Sequence, residues 1–132
     1  MKRPAKMVRA TLRTVLEEER SKFILVYPST TAVKRIKVDE HLPAAVPQCD
    51  YVLVLPAQAL YVELKGSDVE HAVEQLKSTL TKLEVAMATK LFFIIHHHCP
   101  LPATKIQQVK SRFLKQTGHL LKVHKSPHTY TL

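Results

Sequence analysis

Glycine is nearly missing, with two residues in a chain of 132. That excludes a P-loop or a dinucleotide-binding fingerprint, both of which need several glycines where backbone meets phosphate. Cysteine is as scarce: Cys49 and Cys99 form no CxxC, so a reducing cytoplasm is the expected setting. No apolar run is long. The longest, residues 91–95, falls far short of a bilayer span, and the N-terminus has no signal-peptide core, so no membrane partner is expected. Acid is in short supply too, with 11 Asp and Glu against 20 Lys and Arg and a formal charge of +9. Such an excess favours a polyanionic partner through counterion release, although a basic protein with no such ligand gives the same count.

What is present reads as a single domain, residues 1–132. Apolar residues make up 45% and charged residues 23%, close to the globular average and enough for a real core. Residues 5–20 read as a helix, because Val8, Leu12, Val15 and Leu16 recur at helical spacing behind Pro4. At about 100° per residue, Glu19 falls on the buried stripe while Glu17 and Glu18 point away. Lys6, Arg9, Arg13 and Arg20 gather on another side, a basic stripe able to follow a phosphate backbone or simply to face solvent. Residues 22–27 (KFILVY) read as a buried strand and 33–38 as an edge strand with Lys34, Arg35 and Lys37. Residues 39–48 read as a loop around Pro43 and Pro47.

Residues 51–55 and 60–65 form a hairpin. A two-residue loop sets Asp50 opposite Glu63 and a four-residue loop sets it opposite Lys65; either register gathers the three on one face. Gly66 ends the strand, and Ser67 with Glu70 makes a capping box for a helix reaching about residue 88, with Val69, Val73, Leu76, Leu80, Leu83 and Met87 inward. His71, Gln75, Ser78 and Lys82 lie along an adjoining stripe. Residues 91–96 then form a strand reached by helical crossover and so parallel to 60–65, which brings His96, His97 and His98 to the end that holds Glu63. A second amphipathic helix over 103–116, a strand over 120–125 and a mobile tail from Ser126 complete the chain.

Each charged feature has an ordinary reading. An E-x-K at a strand end can be surface pairing, Asp50 a turn residue, Glu19 a helix end and Gln75 a solvated side chain. Together, in the order helix, strands, Asp-led strand, strand ending Glu63-Leu64-Lys65, helix, strand, they resemble the PD-(D/E)XK nuclease superfamily over roughly residues 5–98. The resemblance implies an α/β fold with a mixed central sheet and an αβββαβ core of the restriction endonuclease type, extended by a C-terminal helix and strand. It also implies a hydrolase cleaving phosphodiester bonds in DNA. Asp50, Glu63 and Glu19 would bind Mg2+, with Mn2+ able to substitute. Lys65 would act as electrophile or base, and Gln75 would complete the catalytic set. Cys49 stands where the signature has proline, and Thr79 where the RecB-like branch has an aromatic residue, which argues against that branch.

Restriction-type enzymes, Holliday-junction resolvases and repair exonucleases share this core, so the resemblance leaves the DNA substrate open and does not exclude RNA. It implies a cytoplasmic or nucleoid-associated enzyme. The chain's size points to a homodimer or a partner protein for recognition of a long site. Zinc at the His96-His97-His98-Cys99 run is disfavoured, because consecutive strand residues alternate faces and no HxxxH or CxxC partner exists. Contact of His96 with phosphate, or a plain polar strand terminus, remains. The rival from another class is a module that keeps the fold, binds nucleic acid and has lost turnover.

Overall fold

The computed structural model describes residues 10–65, 68–98 and 101–132, with residue 65 described by its backbone alone. The chain begins with a hairpin of β1 (Thr11–Glu18) and β2 (Ser21–Pro28), followed by β3 (Lys34–Lys37) and a short 3-10 turn at Val38–Glu40. Next come β4 (Tyr51–Val54), β5 (Ala59–Lys65), α1 (Val69–Lys82), β6 (Lys90–His96), α2 (Ala103–Thr117), β7 (Leu120–Lys125) and β8 (His128–Thr131). This is a mixed α/β protein with two mixed sheets. Five strands run in the order β3-β4-β5-β6-β7, and three in the order β1-β2-β8.

The five-stranded sheet is the middle of three layers. Its β4 and β5 alternate faces, so Val52, Ala59 and Tyr61 pack with Phe92 and Ile94 against Ala72, Val73 and Leu76 of α1 and Val109 and Phe113 of α2. The other parity, Leu53, Leu60, Val62, Leu64, Phe93 and Ile95, packs against Leu16, Phe23, Leu25 and Tyr27 of the small sheet. Burial on both faces explains the near-continuous apolar runs of β5 and β6. As the crossover rule requires, β6 is parallel to β5, and β7 is parallel to β6 through α2.

Three expectations are overturned. Residues 11–18, expected inside a helix over 5–20, form β1, which pairs antiparallel with β2 from Thr11↔Pro28 to Glu18↔Ser21. Spacing of 12, 15 and 16 fits a helix, but Thr11, Thr14 and Val15 are β-branched and favour a strand. Cross-strand partners decide it: Thr14 Oγ1 lies 3.0 Å from Tyr27 Oη, and Leu16 is fully buried in the second core. Glu19 is therefore not the inward carboxylate. With Arg20 it forms the two-residue hairpin turn, both at positive φ (50° and 64°) and both exposed. The basic helix stripe dissolves with the helix: Arg13 lies exposed on β1, Arg20 sits in the turn, and Lys6 and Arg9 lie outside the described residues.

The second correction is the tail, expected to be mobile, which forms β8 and adds to β2 in parallel, Phe23↔His128 to Val26↔Thr131. The third is the end of α1 at Lys82 rather than near 88; Leu83, Val85 and Met87 still reach the helix-side core from an extended connection. The cap of α1 is Asp68, whose carboxylate accepts from His71 N at 3.0 Å, one residue later than the expected capping box. Gly66 and Ser67, like Cys99, lie outside the described residues.

Candidate functional site

The register of the central hairpin brings the first two site residues together. Tyr51↔Val62 through Val54↔Ala59 are paired, and Leu55 N donates to Gln58 O at 2.8 Å, so the turn has two residues. Continuing the register by one residue sets Asp50 across from Glu63. Asp50 Oδ2 accepts from Leu64 N at 2.8 Å, while the Asp50 carbonyl accepts from Val38 N at 3.1 Å. Glu63 is 2% exposed. The two carboxylates share a neighbour, Cys49, whose thiol is pushed well above its ordinary pKa, first by burial and then by the charges of Glu63 and Asp50. Burial thus favours the protonated thiol of Cys49.

Helix α1 holds this segment in place. Gln75 Nε2 donates to Gln48 O at 3.1 Å, and one turn on Thr79 Oγ1 accepts from Cys49 N at 2.8 Å while donating to Gln75 O at 2.8 Å. Thr79, at the position that is aromatic in the RecB-like branch, is fully buried and anchors the segment that leads through Asp50 into β4. The carboxamide nitrogen of Gln48 is likewise committed, to Pro43 O and Val46 O. Both carboxamide oxygens, Gln48 Oε1 and Gln75 Oε1, are buried without a hydrogen-bond partner.

These groups border a cleft of about 460 Å³ lined by Glu18, Lys37, Asp39, Gln48, Asp50, His71 and Gln75 among others. Glu63 lies outside that lining. Of the expected site residues, then, Asp50, Glu63 and Gln75 come together, and Lys65 follows Glu63 by two positions on β5. Glu19 does not join them; its neighbour Glu18, which helical phase had turned away, lines the cleft instead. Gln48, Glu18 and Asp39 are the additions that sequence reading missed. Reading residues 11–18 as a strand would have exposed Glu18, since the change of period changes which glutamate shares a side with the site.

Among the described residues no three His, Cys, Asp or Glu side chains form a group able to hold a metal ion. Asp50, Glu63 and the buried carboxamide oxygens of Gln48 and Gln75 are hard oxygen donors, the kind that magnesium takes. Lys65, His96 and Lys125 occupy one cross-strand row at the carboxyl ends of β5, β6 and β7. Burial, then the charges of Lys125, His97 and His98, hold the His96 imidazole below its usual pKa. No protein-family model matches the chain, and no curated protein or solved structure gives a significant match.

Proposed function

We propose that the chain is a metal-dependent nuclease of the PD-(D/E)XK type, hydrolysing phosphodiester bonds in DNA. One observation carries this reading: the two-residue β4–β5 turn sets Asp50 across from Glu63, two residues before Lys65. The arrangement of β3, β4 and β5 as an antiparallel meander, followed by α1 and a parallel β6, supports a restriction endonuclease-like core. Magnesium, or manganese in its place, would polarise the scissile phosphate and yield hydroxide at neutral pH. Asp50 and Glu63 would hold it, with Gln48 and Gln75 offering carboxamide oxygens. Thr79 fixes the segment that carries Asp50. In this reading Lys65 either meets charge developing on the phosphate or takes a proton from the attacking water.

Purified protein incubated with linear, supercoiled, single-stranded and branched DNA, and with RNA, tests the proposal. Cleavage is expected with Mg2+ or Mn2+ and not with EDTA. Asp50→Ala and Glu63→Gln should each lower it by about 100- to 1000-fold, the loss of several kcal/mol of transition-state stabilisation. Cleavage that survives both substitutions overturns the site. The burial of Glu63 at 2% exposure favours a second reading, a nucleic-acid-binding module without turnover; binding with no cleavage of any substrate would establish it.

A further inference from the structure

The end of the sheet that carries Asp50 and Glu63 also gathers positive charge. Parallel pairing places Lys65 beside His96 and His96 beside Lys125, one residue from each of three adjacent strands. At about 4.8 Å per strand the row spans about 10 Å. His97 and His98 follow His96 directly, and both are exposed, as is Lys125. Ser126 N donates to His96 O at 2.7 Å, so β7 stays paired to β6 to the very end of the row. The imidazole of His96 has a buried Nδ1 without a hydrogen-bond partner.

Like charges set side by side on neighbouring strands repel. Lys125, His97 and His98 all disfavour a proton on His96. The Lys37–Asp39 and Lys77–Glu74 ion pairs lie elsewhere in the fold. A bound anion would favour the proton that these neighbours disfavour.

We propose that His96, His97, His98 and Lys125 form a phosphate-binding row that takes the nucleic-acid backbone beside the Asp50–Glu63 pair. The row crosses adjacent strands and is flanked by the exposed His97 and His98, which suits an extended polyanion. It begins one strand away from Glu63, so a chain lying on it presents a neighbouring phosphodiester to the two carboxylates. The nuclease reading supplies the identity of the polymer; the row itself rests on register and charge.

The test uses the full chain and a short DNA duplex in EDTA, followed by fluorescence anisotropy over a range of salt. The triple variant His97→Ala/His98→Ala/Lys125→Ala alters exposed positions only, and its thermal melt checks that it folds. It should bind about tenfold more weakly or worse, with a salt dependence shallower by about one phosphate contact or more. Lys82→Ala, at the far end of α1, should bind as the wild type does. Asp50→Ala should keep its binding while losing cleavage. Unchanged affinity and salt slope in the triple variant would overturn the row even if the wild type cleaves DNA. Binding without cleavage by the wild type, weakened in the triple variant, would leave the row standing and remove the nuclease reading. Inorganic phosphate that shifts the His96 ring resonances when DNA does not would assign the row to a free anion and overturn the backbone assignment.

Discussion

On the helix-covered face of the five-stranded sheet, the apolar series Val52, Tyr61 and Phe92 is broken by Glu63 and by the Asp50 end of β4, under Gln75 and Thr79 of α1. On the strand-covered face, Leu53, Leu60, Val62, Phe93 and Ile95 meet Leu16, Phe23 and Leu25, with no carboxylate among these residues. Both faces are buried, yet they carry different burdens. The strand-covered face is a packing surface: Phe93 lies 5.0 Å from Phe23 and 5.3 Å from Tyr130 by ring centroids, which ties β8 and β2 to the middle of the sheet. The helix-covered face gives up some of that packing to hold polar groups in position. Burial of Tyr61 pushes its phenol up to about 12, and its hydroxyl has no hydrogen-bond partner. Polar groups buried at such expense are where chemistry is to be sought.

Four measurements would break or sharpen this contrast. Phe93→Ala should have the largest effect on stability, a loss of about 3 to 5 kcal/mol in urea unfolding, because its ring fills the space between the two sheets. The folded fraction should keep the activity of the wild type; a loss of turnover beyond the loss of fold would mean that the two faces are not separable. Thr79→Val should cost about 1 to 3 kcal/mol by stranding the buried Cys49 N–H. In contrast to Phe93→Ala, it should also lower metal-dependent cleavage per folded molecule, since it releases the segment that carries Asp50. Equal specific activity in the two variants would refute a positioning role for Thr79.

Acid should act on the strand-covered face. His124 and His128 stack with centroids 3.7 Å apart and planes 3° from parallel, joining β7 to β8. Burial, then repulsion from His128, Lys122, Lys110 and His96, lowers His124 to about 4, and His128 is lowered by burial and Lys122. Because the folded values lie below the ordinary imidazole value, the unfolded chain binds protons first. Stability should therefore be full above about pH 6.5 and fall as pH drops toward about 4. His124→Gln should flatten this acid limb of a Tm against pH curve; an unchanged limb would assign it to other groups. The smallest effect should come from Glu19→Ala, with no change in cleavage, while Glu18→Ala lowers it. The reverse order would restore Glu19 to the site and place the cleft wrongly.

Where the pattern and the packing agreed, the chain could be read directly. Asp50, Glu63 and Lys65 stand out because charges on otherwise apolar strands are rare, and the amphipathic stretch after them required a crossover that makes β6 parallel. The same rule, applied once more through α2, would have brought Lys125 to the site end. Residues 11–18 were not legible in this way. Leu12, Val15 and Leu16 satisfy a helical period, and on β1 only Leu16 is fully buried, so the strand's alternation is too weak to overrule that period. What makes it a strand is its pairing with β2, a contact that no local window contains.

The local alphabet indicated the two hairpin strands and both helices in outline, since each depends on residues close in sequence. The two-residue turn that pairs Asp50 with Glu63, and the end of α1 at Lys82, were decided by the structure. Tertiary contact alone decided that the first segment and the tail join β2 in a second sheet. Their pairing energy comes from distant strands, and on that pairing depends whether Glu18 or Glu19 stands at the cleft. It also settled the role of Thr79, whose partner Cys49 N lies thirty residues away in sequence.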